Sequence, residues 1–129
     1  MMVLEFVFIY ILIIHFLADF GLQTHEQAVG KGQGNEFHNE MLFFHVGVYT
    51  LIWMISLLAI KPIFDFTYFD VVKFGVITFY THYTTDYITS RVGKPFWSKN
   101  DFHNGFVVVG FDQILHYLQL YYTFKYVFL

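Results

Sequence analysis

The sequence contains no cysteine, only two prolines and few charged residues. Without cysteine, the chain has no disulfide, no thiolate metal site and no cysteine nucleophile. Charged residues make up 13% of the chain, whereas a soluble domain has about 25%. The net charge is −3, and no basic run predicts a nucleic-acid partner. These deficits exclude several enzyme classes and point away from an ordinary soluble domain.

Hydrophobic residues are in excess instead. They make up 57% of the chain, and aromatic residues make up 23%. Tyrosine and tryptophan favour the membrane–water interface, and the length suits a single domain, residues 1–129. We therefore predict an integral membrane protein in contact with the lipid bilayer, with copies of itself or another membrane protein as further partners. The first apolar run begins with the acidic Glu5 and lacks a cleavage site, so it predicts a retained span rather than a signal peptide.

Four segments are apolar and long enough to cross a bilayer, which takes about 20 residues. The predicted fold is therefore an all-α, polytopic membrane four-helix bundle. Polar segments separate the first span from the second and the third from the fourth, and Pro62 ends the second span. Residues 90–105 are predicted to be a loop, with Gly93 and Pro95 as helix breakers. The approximate spans are residues 2–20, 42–60, 70–89 and 106–128.

Strongly polar residues recur inside these spans, always towards the same end of the bundle. Residues four apart share a helix face, and three spans carry an aspartate and a histidine at that spacing. Because the spans alternate in direction, all of these residues fall at a similar depth. The converging residues are His15 and Asp19, His45, His82 and Asp86, and Asp112 and His116.

Ionised groups in hydrocarbon are costly unless they are paired or bound to a metal. Bundles build metal sites from histidines and carboxylates on inward faces. We therefore predict a site for zinc, iron or manganese, with these seven residues as candidate ligands. Seven exceed the ligands of one ion, so either two ions lie together or some aspartates orient the histidine rings. Gln23, Tyr49 and Gln113 are predicted to support the ligands from beside them.

Two other interpretations of the cluster stay open. A metal-free His–Asp network could hold the helices together or conduct protons. Haem held by two of the histidines is the other interpretation, and the interleaved aspartates argue against it.

The motifs that carry these residues resemble those of the domain of unknown function 3307 family, small membrane proteins of bacteria and phages. The resemblance covers "HFLADFGLQT" at 15–24, "HYTTDYITSR" at 82–91, "DQILH" at 112–116 and the separate His45. It implies an integral protein of the bacterial inner membrane and supports the choice of motif residues, but it implies no activity. Lysine and arginine are slightly more numerous at the cluster end, which predicts that the loops there are cytoplasmic.

Three functions are compatible with this pattern. The first is a metal-dependent hydrolase of lipid-borne or phosphoester substrates, with Asp19, Asp86 or Asp112 as the general base. Arg91 and Lys94 would then hold a phosphate or lipid head group. The second is a proton or ion relay or transport protein, and the third is a structural or regulatory membrane protein with a hydrogen-bonded His/Asp core.

Overall fold

The computed structural model describes residues 2–26 and 36–129, with side chains from residue 5 and, after the gap, from residue 39. All regular structure in these residues is helical, so the predicted all-α class with four helices is confirmed for them. Of the polar loop predicted over residues 23–40, residues 27–35 lie outside the described residues, and residues 36–40 belong to a helix instead. The helices are α1 (Met2–Phe16), α2 (Glu36–Ile60), α3 (Tyr68–Ser98) and α4 (Phe102–Phe128), and a π-helical turn (Leu17–Gly21) continues α1.

The π-helical turn departs from the uninterrupted first helix that the sequence predicts. The N–H of Leu22 donates to the carbonyl of Leu17 at 2.9 Å, a bond that spans five residues instead of the four of an α-helix. Such single wide turns are frequently found at functional sites. Here the turn carries Asp19, whose side chain is buried.

The prediction of a loop over residues 90–105 is wrong. Helix α3 continues through Gly93 and Pro95 to Ser98, and the connection to α4 is short. Proline near a helix end removes only one backbone hydrogen bond, and tertiary packing offsets that loss. The indole of Trp97 lies so close to Gly105 of α4 that a Cβ there would approach it to 2.9 Å.

Side-chain caps define where the last two helices begin. Thr67 and Asp70 form a reciprocal capping box at the start of α3. Asp101 caps α4 by accepting a hydrogen bond from the backbone N–H of Asn104 at 3.2 Å. The side-chain amide and backbone N–H of Asn104 lower the pKa of Asp101. Asn100, with φ of 58°, makes the sharp turn before this cap.

One half of the bundle has an aromatic and aliphatic core. Trp53 of α2 lies 5.6 Å from Phe74 of α3, and Phe74 lies 5.2 Å from Phe124 of α4, measured between ring centroids. Leu57 and Val71 are buried in the same cluster. The most extensive helix contacts join α3 to α4 and α2 to α3. The rings of this half pack α2, α3 and α4 against one another.

Only one helical segment of the described chain, Asn39–Ile60, is long and apolar enough to cross a membrane by length and composition. Its mean hydropathy is 2.0. The sequence predicts four such spans, and one apolar helix does not establish a multi-pass membrane protein, because the core helix of a soluble protein meets the same criterion.

Candidate metal centre

The seven histidines and aspartates predicted from the sequence come together in one buried cluster. None of them exposes more than 9% of its surface. The π-helical turn contributes Asp19, and the helices contribute the other six residues. These are His15 of α1, His45 of α2, His82 and Asp86 of α3, and Asp112 and His116 of α4.

Four of the seven residues present donor atoms to one shared point, and we call them the first group. They are His45, His82, Asp19 and Asp86, and their ligand atoms all lie within 4.8 Å of one another. The two Nε2 atoms of His45 and His82 are 3.4 Å apart. Asp19 Oδ1 lies 3.0 Å from His45 Nε2 and 3.6 Å from His82 Nε2. Asp86 Oδ2 lies 3.5 Å and 3.6 Å from the same two atoms.

These separations have the size that a single small cation requires. Zinc–nitrogen and zinc–oxygen bonds of 2.0–2.1 Å set ligand atoms at tetrahedral corners about 3.3–3.4 Å apart. Imidazole nitrogen and carboxylate oxygen are also ligands for iron and manganese. The first group is therefore suited to one divalent ion.

A second, overlapping set of donors lies beside the first. It consists of Asp19, Asp112 and His116, with ligand atoms again within 4.8 Å of one another. His116 Nε2 lies 2.9 Å from Asp86 Oδ1 and 3.3 Å from Asp112 Oδ2. We call Asp19, Asp86, Asp112 and His116 the second group.

His15 has a different environment from the other three histidines. Its Nδ1 lies 2.7 Å from the hydroxyl of Tyr49, and its Nε2 lies 2.8 Å from Oε1 of Gln113. Its distance to Asp19 Oδ2, 3.7 Å, is longer than either. Both ring nitrogens therefore have hydrogen-bonding partners, and the contacts suit a role in positioning Asp19 and Gln113 better than the predicted ligand role.

Gln113 and Tyr49, which are predicted to support the ligands, both contact residues of the cluster. The amide nitrogen of Gln113 donates to Asp19 Oδ2 at 3.1 Å and to Asp112 Oδ2 at 3.2 Å. The ring of Tyr49 stacks on the ring of His82, with centroids 3.8 Å apart. Gln23 is half-buried, and within residues 5–26 and 39–129 its Oε1 has no hydrogen-bond partner.

Arg91 and Lys94, the predicted phosphate-binding residues, lie on α3 instead of in a loop. The guanidinium of Arg91 stacks over the ring of Tyr87 at 3.4 Å and donates to Asn39 Oδ1 at 2.9 Å. Lys94 is exposed. Arg91 follows Asp86 by five residues, about 7.5 Å along the helix axis.

Sequence reasoning missed two threonines that belong to the cluster. The hydroxyl of Thr89 donates to Asp112 Oδ1 at 2.5 Å, and Thr85 accepts from the amide of Gln119 at 2.5 Å. Both threonines lie on the face of α3 that carries His82, at positions i+3 and i+7. That spacing is visible in the sequence, but threonine is common enough in helices that the pattern does not stand out.

A narrow polar cavity lies on the side of the cluster that faces the apolar core. His82 and His116 form part of its wall. Within the described residues, the buried Thr78 Oγ1 and His82 Nδ1 have no hydrogen-bond partner. The other residues that line the cavity are Tyr49, Thr81, Gln119, Leu120 and Thr123.

Comparison with protein families identifies one relevant match. The family model of a protein of unknown function, DUF3307, matches residues 7–128, a range that contains every predicted site residue. The resemblance predicted from the motifs is therefore confirmed. No curated protein matches the chain significantly, and no solved structure does so either.

Proposed function

The chain belongs to the DUF3307 family, and we propose that it is a multi-pass membrane metalloprotein that hydrolyses a lipid-borne or phosphoester substrate. The observation that carries this proposal is the first group, in which His45, His82, Asp19 and Asp86 present four buried donor atoms at ligand-like separations. The membrane setting and the hydrolytic reaction each have separate support.

The membrane setting is supported by the distribution of polar and apolar side chains. The outer surface is rich in large exposed hydrophobic residues, whereas the interior holds the histidines and aspartates. Helices α3 and α4 are long enough to cross a bilayer core of about 30 Å. The histidines and aspartates in the middle of these helices, His82, Asp86, Asp112 and His116, reduce their hydropathy but are buried. The large hydrophobic residues exposed on the outer surface include Phe8, Ile13, Leu51, Ile55, Val76, Tyr80, Phe111, Ile114 and Leu118.

Metal binding is supported by the free-energy cost of burying the histidines and aspartates without a cation. The cluster holds three aspartates and four histidines that are almost fully buried. Without a metal, it would have to bind three protons to become neutral, and burying an uncompensated charge is expensive. A divalent cation supplies two positive charges at one point and lets both imidazoles of the first group stay neutral. His45 and His82 would contribute nitrogens, and Asp19 and Asp86 would contribute oxygens.

Hydrolysis is supported by the groups that surround this site. A divalent metal ion lowers the pKa of a bound water to about 7. With a single ion in the first group, Asp112, the most exposed of the three aspartates, would be the carboxylate placed to take a proton from a reacting water. Arg91 is already oriented by Asn39 and Tyr87, and a guanidinium carries five N–H donors that suit phosphate oxygens.

A proton relay is the second candidate function, and the polar cavity specifically favours it. Thr78, Thr81, Gln119 and Thr123 continue polar groups from His82 and His116 towards the apolar half. In that case, purified protein in liposomes would carry a proton flux. Gln119→Leu would reduce the flux, because it removes a polar group from the wall of the cavity. Liposomes that show no flux would count against this candidate.

The proposal is tested first by measuring metal in the detergent-purified protein with elemental mass spectrometry. Wild type should carry zinc, iron or manganese, or take it up on reconstitution, and Asp86→Asn should lose it while staying monodisperse. Asp65→Asn, which changes an exposed aspartate, is the matched control and should keep the metal. No metal in wild type after reconstitution with all three ions would overturn the metal site.

Hydrolysis is tested separately on the metal-loaded protein with phospholipids and soluble phosphodiesters. We expect turnover that chelation abolishes and that returning the metal restores. Bound metal without turnover on any of these substrates would leave metal binding intact and reject the enzymatic step. Arg91→Gln should raise KM more than it lowers kcat, because Arg91 is proposed to bind the phosphate.

A further inference from the structure

We propose that the centre holds two divalent ions side by side, with Asp19 and Asp86 bridging them. This inference rests on the proposed metal function and specifies how many ions the cluster is built for. The first ion would lie in the first group, between His45 and His82. The second would lie in the second group, beside His116 and Asp112.

Asp19 offers its two oxygens in two different directions. Its Oδ1 faces the first group, 3.0 Å from His45 Nε2 and 3.6 Å from His82 Nε2. Its Oδ2 accepts a hydrogen bond from the amide of Gln113 at 3.1 Å. The same amide also donates to Asp112 Oδ2, so Asp19 Oδ2 and Asp112 Oδ2 are close to each other. One carboxylate therefore contributes to both groups.

Asp86 repeats this arrangement from α3, on a different helix. Its Oδ2 faces the first group, 3.5 Å from His45 Nε2 and 3.6 Å from His82 Nε2. Its Oδ1 lies 2.9 Å from His116 Nε2 in the second group. Asp19 and Asp86 therefore each have one oxygen in the first group and one in the second. A carboxylate that bridges two metal ions has this arrangement. A single ion in the first group would leave Oδ1 of Asp86 without a metal.

The second group has donors enough for an ion of its own. His116 Nε2 lies 3.3 Å from Asp112 Oδ2 and 2.9 Å from Asp86 Oδ1. Asp19, Asp112 and His116 place their ligand atoms within 4.8 Å of one another, and Asp86 adds a fourth donor through its contact with His116. Thr89 donates to the other oxygen of Asp112 at 2.5 Å, which fixes the orientation of that carboxylate.

The side-chain amide of Gln113 lies between two carboxylates of the second group, those of Asp19 and Asp112. Its NH₂ points at oxygens of Asp19 and Asp112, and its own oxygen is held by His15 at 2.8 Å. Two buried carboxylates repel each other unless a donor or a cation lies between them. An amide supplies only a dipole there, whereas a divalent ion would compensate both charges.

The charge of the whole cluster also favours two ions. Three ionised aspartates with four neutral histidines carry three negative charges. One divalent ion leaves one negative charge buried, and burying a net charge is costly. Two divalent ions leave one positive charge, which a singly charged anion such as a phosphodiester would neutralise. Paired metal ions are used in phosphoester hydrolysis, where they stabilise both the attacking and the leaving oxygen.

The test counts ions in chelator-stripped, detergent-purified protein titrated with manganese. We expect two manganese ions per wild-type chain. The six-line paramagnetic resonance signal of the first equivalent should weaken when the second is added, because ions about 3.5–4 Å apart couple magnetically. His116→Ala and Asp112→Asn should each bind a single ion and keep the uncoupled signal. His103→Ala, an exposed histidine on the same helix, is the matched control and should bind two.

The possible results separate this inference from the proposed function. One ion per wild-type chain, with binding unchanged in both Asp112→Asn and His116→Ala, would overturn the second ion and leave the single-metal site standing. No ion in wild type would overturn the metal function itself. Asp112→Asn nearly preserves side-chain shape, so it keeps the test decisive if His116→Ala does not fold.

Discussion

The two halves of the bundle are built from the same helices but have opposite interiors. In one half, Trp53, Phe74 and Phe124 pack edge to face and tilted, with ring centroids 5.2–6.3 Å apart. In the other half, the helices surround histidines and aspartates. The apolar half needs only shape complementarity, because its residues have no charge to compensate. The polar half needs partners for every group, which makes it the costlier interior and the better candidate for function.

The halves meet at Tyr49, whose ring and hydroxyl serve different neighbours. The ring lies 6.4 Å from that of Trp53 on the apolar side and stacks on His82. The hydroxyl lies 2.7 Å from Nδ1 of His15 in the polar half. A tyrosine suits this boundary, because it combines a large apolar surface with one polar group. The packed half can therefore set the position of two histidines through a single side chain.

Removing the Asp19 carboxylate should have the largest effect on stability in the presence of metal. The effect should be confined to the polar half. Asp19→Asn weakens both groups, so metal should no longer stabilise the protein. For wild type that stabilisation is about 4 kcal/mol when free metal exceeds its Kd a thousandfold. The measurement is the thermal unfolding midpoint with and without added manganese. Without metal, the variant should be as stable as wild type or more stable, because it buries one charge fewer.

Asp65→Asn provides the comparison for this experiment, since it removes the same charge at an exposed position. Its midpoint should rise with manganese as much as that of wild type. An equal metal-dependent rise in Asp19→Asn would contradict the assignment of Asp19 to the site.

Truncating the apolar core should lower the free energy of unfolding by a similar amount and should leave metal binding unchanged. Trp53 is fully buried, and replacing such a residue by alanine costs about 3–5 kcal/mol, part of it for the cavity left behind. The measurements are the free energy of unfolding of Trp53→Ala and its metal content. A folded variant that loses its metal would show that the two halves are not separable.

A charge on the outer surface tests whether that surface faces lipid. Leu51 is 58% exposed near the middle of α2. Arginine at the centre of a membrane helix costs about 2.5–3.5 kcal/mol, whereas an exposed substitution in a soluble protein changes stability by less than about 0.5 kcal/mol. We expect Leu51→Arg to reduce the amount of folded protein in the membrane fraction.

Ile63 is a matched control, because it is also exposed but follows the end of α2. Ile63→Arg should accumulate like wild type. If the two variants behave alike and the protein partitions into the aqueous fraction, the membrane setting is wrong.

The smallest effect is expected from the polar cavity between the halves. Thr78 is buried, and its hydroxyl has no partner in the described part of the chain. Thr78→Val removes a buried hydroxyl without breaking a protein hydrogen bond. The free energy of unfolding should therefore increase by up to about 1 kcal/mol. Chemical denaturation measures the change. A clear loss of stability would indicate that the hydroxyl binds a water or another ligand.

Spacing in the sequence was enough to find most of the cluster. Apolar runs located four helices, and the i, i+4 pairs of histidine and aspartate identified the residues that meet inside. His45 was found by depth alone, since no aspartate accompanies it in α2. These inferences work because helical periodicity is local, and burial of a polar residue in an apolar run is visible without knowledge of the neighbours.

Side-chain contacts between different helices could not be predicted from spacing along the sequence. The spacing of His15 and Asp19 suggested a direct pair, but His15 bonds instead to Tyr49 and Gln113 on other helices. The continuation of α3 through Pro95 depends on the packing of Trp97 against Gly105, a contact with the next helix. The sequence gives residue types and spacing, whereas these features depend on distances between segments.

The π-helical turn at Leu17–Gly21 makes this segment sensitive to its length as well as to its composition. A turn closed by a bond across five residues contains one residue more than an α-helical turn. Deleting one residue from it would restore an ordinary helix and rotate α1 by about 100° relative to the chain beyond. His15 would then face away from Tyr49 and Gln113. Insertions and deletions here should therefore be tolerated far less than substitutions of the exposed Leu17 or Phe20.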